Sequence, residues 1–133
     1  MAITAEITLT SAAGDLTTNA LALSTTTSLT TAGTSTAISQ TAGLARKTTG
    51  STNIYTLFDG DAYANGAHKI YLKNTETTAG LYFTIFMQDE QIGKLYAGDW
   101  AFFPWEANAD NNDIKIQPST SASHTLEYML FYE

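Results

Sequence analysis

Between Ile92 and Trp105 the chain reads Ile-Gly-Lys-Leu-Tyr-Ala-Gly-Asp-Trp-Ala-Phe-Phe-Pro-Trp, and no other stretch constrains the fold as much. Gly98-Asp99 supplies turn chemistry between two apolar runs, the pattern of a β-hairpin. Successive side chains of a strand alternate, so Trp100, Phe102 and Pro104 fall on one side and Ala101, Phe103 and Trp105 on the other. A strand with one wet face has polar residues there; this one has none. It must lie between two layers, or its outer side must be covered by another chain.

The same alternation recurs along the chain. Ile3, Ala5, Ile7 and Leu9 alternate with Thr4, Glu6, Thr8 and Thr10, a strand with one apolar face. Ser11 to Asp15 is a turn. Leucine keeps recurring through the Thr/Ser-rich run that follows (Leu16, Leu21, Leu23, Leu29), which favours ordered strands over a solvated linker. Further turns are expected at Ala32-Gly33-Thr34 and Thr41-Ala42-Gly43, beside short strands at Ala37-Ile38-Ser39 and 44–48. The segment holds no aromatic residue before Tyr55, and its small side chains suit an arm that adds a strand to a neighbour's edge. At 133 residues the chain is most simply one domain, within which we divide an N-terminal arm or strand region, 1–52, from a sandwich core, 53–133.

Roughly six strand units are expected in the core: 54–58, 68–74 with Ile70 and Leu72 inward, 81–88 with Phe83 and Ile85 inward, the Ile92–Trp105 hairpin around Gly98-Asp99, then 114–118 and 124–133. Turn signals every 8 to 12 residues point to an all-β chain. The fold expected is an antiparallel β-sandwich or jelly-roll-like barrel with an extended N-terminal strand. Composition agrees: charged residues make up only 14% while threonine and aromatic residues are plentiful, a strand-favouring balance.

A net charge of −7 argues against a nucleic-acid partner, because a phosphate-binding surface needs clustered Lys and Arg. No run approaches the ~20 apolar residues of a membrane span. The N-terminus lacks the basic start and apolar core of a signal peptide, so synthesis in the cytoplasm is expected. There is no cysteine, hence neither disulfide nor thiolate metal site.

Catalysis needs a nucleophile with its base, a carboxylate pair or a metal. Both histidines, His68 and His124, open strands and read as solvent-boundary residues, so no catalytic, cofactor or metal residue is assigned and the chain is not read as an enzyme. Asp59-Gly60-Asp61 with Asn65, and Asp110 to Asp113, have the alternate oxygen ligands that suit calcium, but they lack the closing Glu of an EF-hand and read as turns. The outward aromatic set of Tyr71, Tyr82, Phe86 and one face of Trp100 to Trp105 suits either a sugar platform or a protein contact, and the contact reading is preferred.

His-Lys-Ile-Tyr-Leu-Lys-Asn-Thr from His68, Gln-Ile-Gly-Lys-Leu-Tyr-Ala-Gly-Asp-Trp-Ala-Phe-Phe-Pro-Trp to Trp105, and the closing Thr-Leu-Glu-Tyr-Met-Leu-Phe-Tyr-Glu together resemble small virion structural proteins of tailed bacteriophages of marine and cyanobacterial hosts. The N-terminal Ile-Thr-Leu-Thr-Ser-Ala and Gly-Leu-Ala-Arg-Lys-Thr at 43–48 extend the likeness over nearly the whole chain. Within that group the size, the β-rich pattern and the acidic charge look most like a capsid decoration (cement) protein. The resemblance implies a place on the outer surface of the virion, the major capsid protein or other virion proteins as partners, and a homo-oligomer, a trimer by preference. A tail or fibre component, including a glycan-binding receptor module, is the alternative. Contact residues under this reading are Ile3, Ile7 and Leu9 on the first strand, and Tyr71, Tyr82, Phe86, Trp100, Phe102, Phe103 and Trp105 on the core.

Overall fold

A computed structural model describes residues 3–30, 38, 40–63, 67–108 and 112–132. The chain forms two compact units, 1–39 and 40–133. The turn expected at 32–34, Ala37, Ser39, Asn65, Asp110 and Asn111 lie outside the described residues.

The first unit is a two-stranded antiparallel ribbon, β1 (Thr4–Ser11) and β2 (Leu21–Ser28), paired residue for residue from Thr4↔Ser28 to Ser11↔Leu21. Directly paired residues share a face. One face therefore carries Ile7, Leu9, Leu21 and Leu23, and the opposite face is entirely Thr, Ser, Ala and Glu6. At the base Leu29 and Ile38 are buried, with Leu29 N–H donating to Ile3 O and Ile38 N–H to Leu29 O. Gly14, at φ 87, turns the connecting loop.

The second unit is a β-sandwich of two antiparallel sheets. Its strands are β3 (Gln40–Thr41), β4 (Ala45–Thr49), β5 (Tyr55–Phe58), β6 (Ala67–Asn74), β7 (Tyr82–Met87), β8 (Glu90–Tyr96), β9 (Trp100–Glu106), β10 (Ile114–Pro118) and β11 (His124–Tyr132). One sheet runs β5-β10-β7-β8. In the other, β3 and β4 flank successive parts of β11 on one side, followed by β6 and β9. From β4 onward the chain changes sheet at every connection except the tight β7–β8 hairpin. That is jelly-roll winding, left open at both flanks and not closed into a barrel. The strands β3 and β4, grouped by sequence with the N-terminal segment, belong to the sandwich.

The inward residues alternate as their pattern requires. Ile70, Leu72, Trp105, Leu126 and Leu130 from one sheet meet Phe58, Phe83, Ile85, Leu95, Ile114 and Ile116 from the other in a single core. At roughly 1.5–3 kcal/mol for each fully buried large apolar side chain, this layer dominates the stability of the unit.

The stretch around Gly98 is not a hairpin. Its two arms sit in different sheets, β8 beside β7 and β9 beside β6, so the turn carries the chain across the sandwich. Local bonds specify the crossing. Gly98, at φ 84, donates its N–H to Asn74 O, Asn74 N–H donates to Asp99 O, and the Asp99 carboxylate accepts Tyr96 N–H. The fully buried Asn74 side chain donates to the carbonyls of Leu81 and Leu95, tying the end of β6 to the opposite sheet.

Candidate interaction surface

The outer faces of the two sheets follow from strand register. On the β11-containing sheet, three rows cross the strands: Trp100–Lys73–Glu127–Arg46, Phe102–Tyr71–Met129, and Pro104–Lys69–Phe131–Thr41. Trp100 is 53% exposed, and Phe102 packs edge-to-face on Phe131 with centroids 6.0 Å apart. The only carboxylate in these rows, Glu127, is engaged twice. Arg46 Nη2 donates to it at 3.0 Å and the Tyr71 hydroxyl at 3.3 Å. Burial first, then the charge of Glu127 and this hydrogen bond, raise the Tyr71 phenol above its ordinary pKa. Lys69 and Lys73 are not ion-paired among the described residues.

The outer face of the other sheet holds Tyr82, Phe86, Lys94 and Tyr96. The Tyr82 and Tyr96 rings lie 5.2 Å apart, and the Lys94 ammonium sits 4.5 Å from the Tyr82 centroid, a cation–π contact. Between the edge strands β8 and β9, a groove of about 250 Å³ opens along Ile85, Ile92, Leu95, Ala101 and Phe103.

The expected contact residues are therefore split among four places. Tyr71, Trp100 and Phe102 lie together on one sheet face, and Tyr82 and Phe86 on the other. Leu9 is exposed on the ribbon, with Ile3 and Ile7 half-buried. Phe103 and Trp105 point inward. Trp105 is only 2% exposed and its indole N–H donates to Asn112 O at 2.7 Å, so it is a core residue and not a contact residue. Alternation alone placed it on the side of Ala101 and Phe103; which side was the core could not be read from a strand apolar on both.

Neither histidine sits at the solvent boundary. His124 is fully buried, its ring edge-to-face with Phe83, Nδ1–H donating to Ala122 O and Nε2 beside Ser119 Oγ. His68 is buried among Tyr63, Trp105 and Tyr132. Asp59 Oδ1 accepts Asp61 N–H and Asp113 Oδ1 accepts Gly60 N–H, the bonds of turn residues. Among the described residues no three His, Asp or Glu side chains converge on a metal position. Alternation in sequence already turns Lys69 and Lys73 outward with Tyr71; sequence reasoning missed Met129 and Phe131 as members of the Trp100 face, although their odd-numbered places in an alternating strand carried the signal.

No protein-family model, curated protein or solved structure matches this chain.

Proposed function

We propose that the chain is a bacteriophage capsid decoration protein, which binds the outer shell and stabilises contacts between capsomers. The observation that carries this reading is the combination, in one chain, of two presenting elements. A jelly-roll sandwich displays an aromatic and cationic sheet face around Trp100, and a separate ribbon exposes the leucine pair Leu9 and Leu23. A two-stranded ribbon is marginal by itself in water. An apolar row on such a ribbon is best accounted for by a surface that covers it on assembly. The resemblance to small tailed-phage virion proteins supplies the kind of particle, the major capsid protein as partner and the outer shell as location.

Copy number per particle tests the reading, because it follows the symmetry of the site. Quantitative mass spectrometry of purified virions should find the chain in numbers matching the capsomers or their three-fold positions. Absence from virions would overturn the proposal. Three to eighteen copies at one vertex would instead favour a tail or fibre component, for which the exposed Tyr82–Tyr96 pair beside Lys94 would be the glycan-stacking site.

A further inference from the structure

Charge within the sandwich is strongly polarised. At one end, where strand register brings Phe58, Met87, Glu90 and Ile114 level and Asn112 ties in the end of β9 at Glu106, the loops and strand termini hold Asp59, Asp61, Asp89, Glu90, Glu106 and Asp113. Gly60 N–H to Asp113, Gln88 N–H to Asp113 O and Asn112 Nδ2 to Glu106 O bind these segments into one surface. Lys115 contacts two of these six carboxylates, Asp89 and Asp113. All the acids but Asp113 are exposed, Asp89 to 85% of its side chain. In its three rows the Trp100 face has the opposite balance, Arg46, Lys69 and Lys73 against Glu127, with Glu106 beyond Pro104 on β9 marking the border to the acidic end, in a chain of net charge −7.

We propose that these two surfaces are partners in a contact between copies, the Trp100 face of one chain seating on the acidic loop end of the next. Charge complementarity selects a second copy as the occupant, since each chain carries both halves. Trp100, Phe102 and Tyr71 provide the apolar anchors that interfaces favour, and Lys69 and Lys73 provide charges not ion-paired among the described residues. Two different patches meet in such a contact, so it is heterologous and propagates head-to-tail until a ring closes. Four strands at ~4.8 Å spacing and three rows about 7 Å apart along them make a face of roughly 400 Å². A standard stable interface takes about 800 Å² per partner, so a weak, concentration-dependent self-association is expected.

The inference deepens the assembly reading above, and the two fail separately: a chain that decorates shells but remains monomeric in solution sinks only the self-contact. Sedimentation equilibrium of the full chain from ~1 to ~300 µM tests it, with circular dichroism melts to confirm that each variant folds. The wild type should associate, and more weakly as salt is raised. K69E/K73E and D89K/E90K should each weaken association at least tenfold, and the quadruple variant, with both signs exchanged, should recover most of it. W100S should weaken it independently of salt. A wild type monomeric throughout, an oligomer indifferent to K69E/K73E, or a quadruple variant no better than either double would each overturn the proposal. If only K69E/K73E disrupts association, the face meets some other surface and the proposal is equally overturned.

Discussion

The ribbon of residues 4–28 and the sandwich of residues 40–132 are written in the same alternating code, yet they reach opposite outcomes. In the sandwich, inward residues such as Phe83, Ile114 and Leu126 find a second sheet and lose all exposure. In the ribbon, Leu9 and Leu23 stand directly opposite each other and stay about half exposed, since two strands have no second layer. Period-two patterning selects a strand; it does not say what will cover it. The number of strands that pair, and the aromatic volume available between them, decide whether burial follows.

Substitutions can break or sharpen this contrast. Phe83→Ala removes a fully buried ring from the centre of the sandwich and should cost about 3–5 kcal/mol, seen as a large fall in the urea midpoint. A loss below ~1 kcal/mol would mean that the two sheets do not share one core. Asn74→Ala leaves the carbonyls of Leu81 and Leu95 without their donor at a buried crossing, and about 2–3 kcal/mol should go with it.

Tyr71→Phe acts through pH. The folded phenol ionises above its ordinary range and the unfolded one within it, so the stability held there is complete below the unfolded pKa. That stability drains as pH rises through the unfolded value towards the folded one. The Phe variant should therefore show a flatter alkaline limb in thermal melts, with little change near neutrality. Leu9→Ser with Leu23→Ser should move the sandwich transition least, within about 0.5 kcal/mol. A larger shift would show that the ribbon's apolar row contributes to the fold of the isolated chain and is not held for a partner.

Much of the sandwich was legible in sequence. Ile70 and Leu72 in β6, Phe83 and Ile85 in β7, and Ile114 and Ile116 in β10 stand inward where alternation puts them. The jelly-roll order was not legible, because Gly98-Asp99 reads identically as a hairpin turn and as a crossing. The bonds that distinguish the two come from Asn74, some 24 residues upstream. The histidines were misplaced for a related reason: His124 satisfies its ring locally, through Ala122 and Ser119, and so can be buried at a strand start. Of the contact surface, Tyr71, Trp100 and Phe102 were readable by register within their strands. The pairing that aligns them with Lys69, Lys73 and Glu127 is a tertiary fact.

The central place of β11 in its sheet also sets a timetable. Its pairing with β4 spans 75 to 83 residues, from Thr49↔His124 to Ala45↔Tyr128, whereas the ribbon pairs strands within one short loop. Local hairpins close in about 1–10 µs, while β-sandwiches dominated by distant pairings take milliseconds to seconds. The ribbon's pairing is thus local and can close early, whereas β6 gains its β11 neighbour only when the distant C-terminal strand docks. Stopped-flow fluorescence of the two tryptophans, both on β9, would record only the later event.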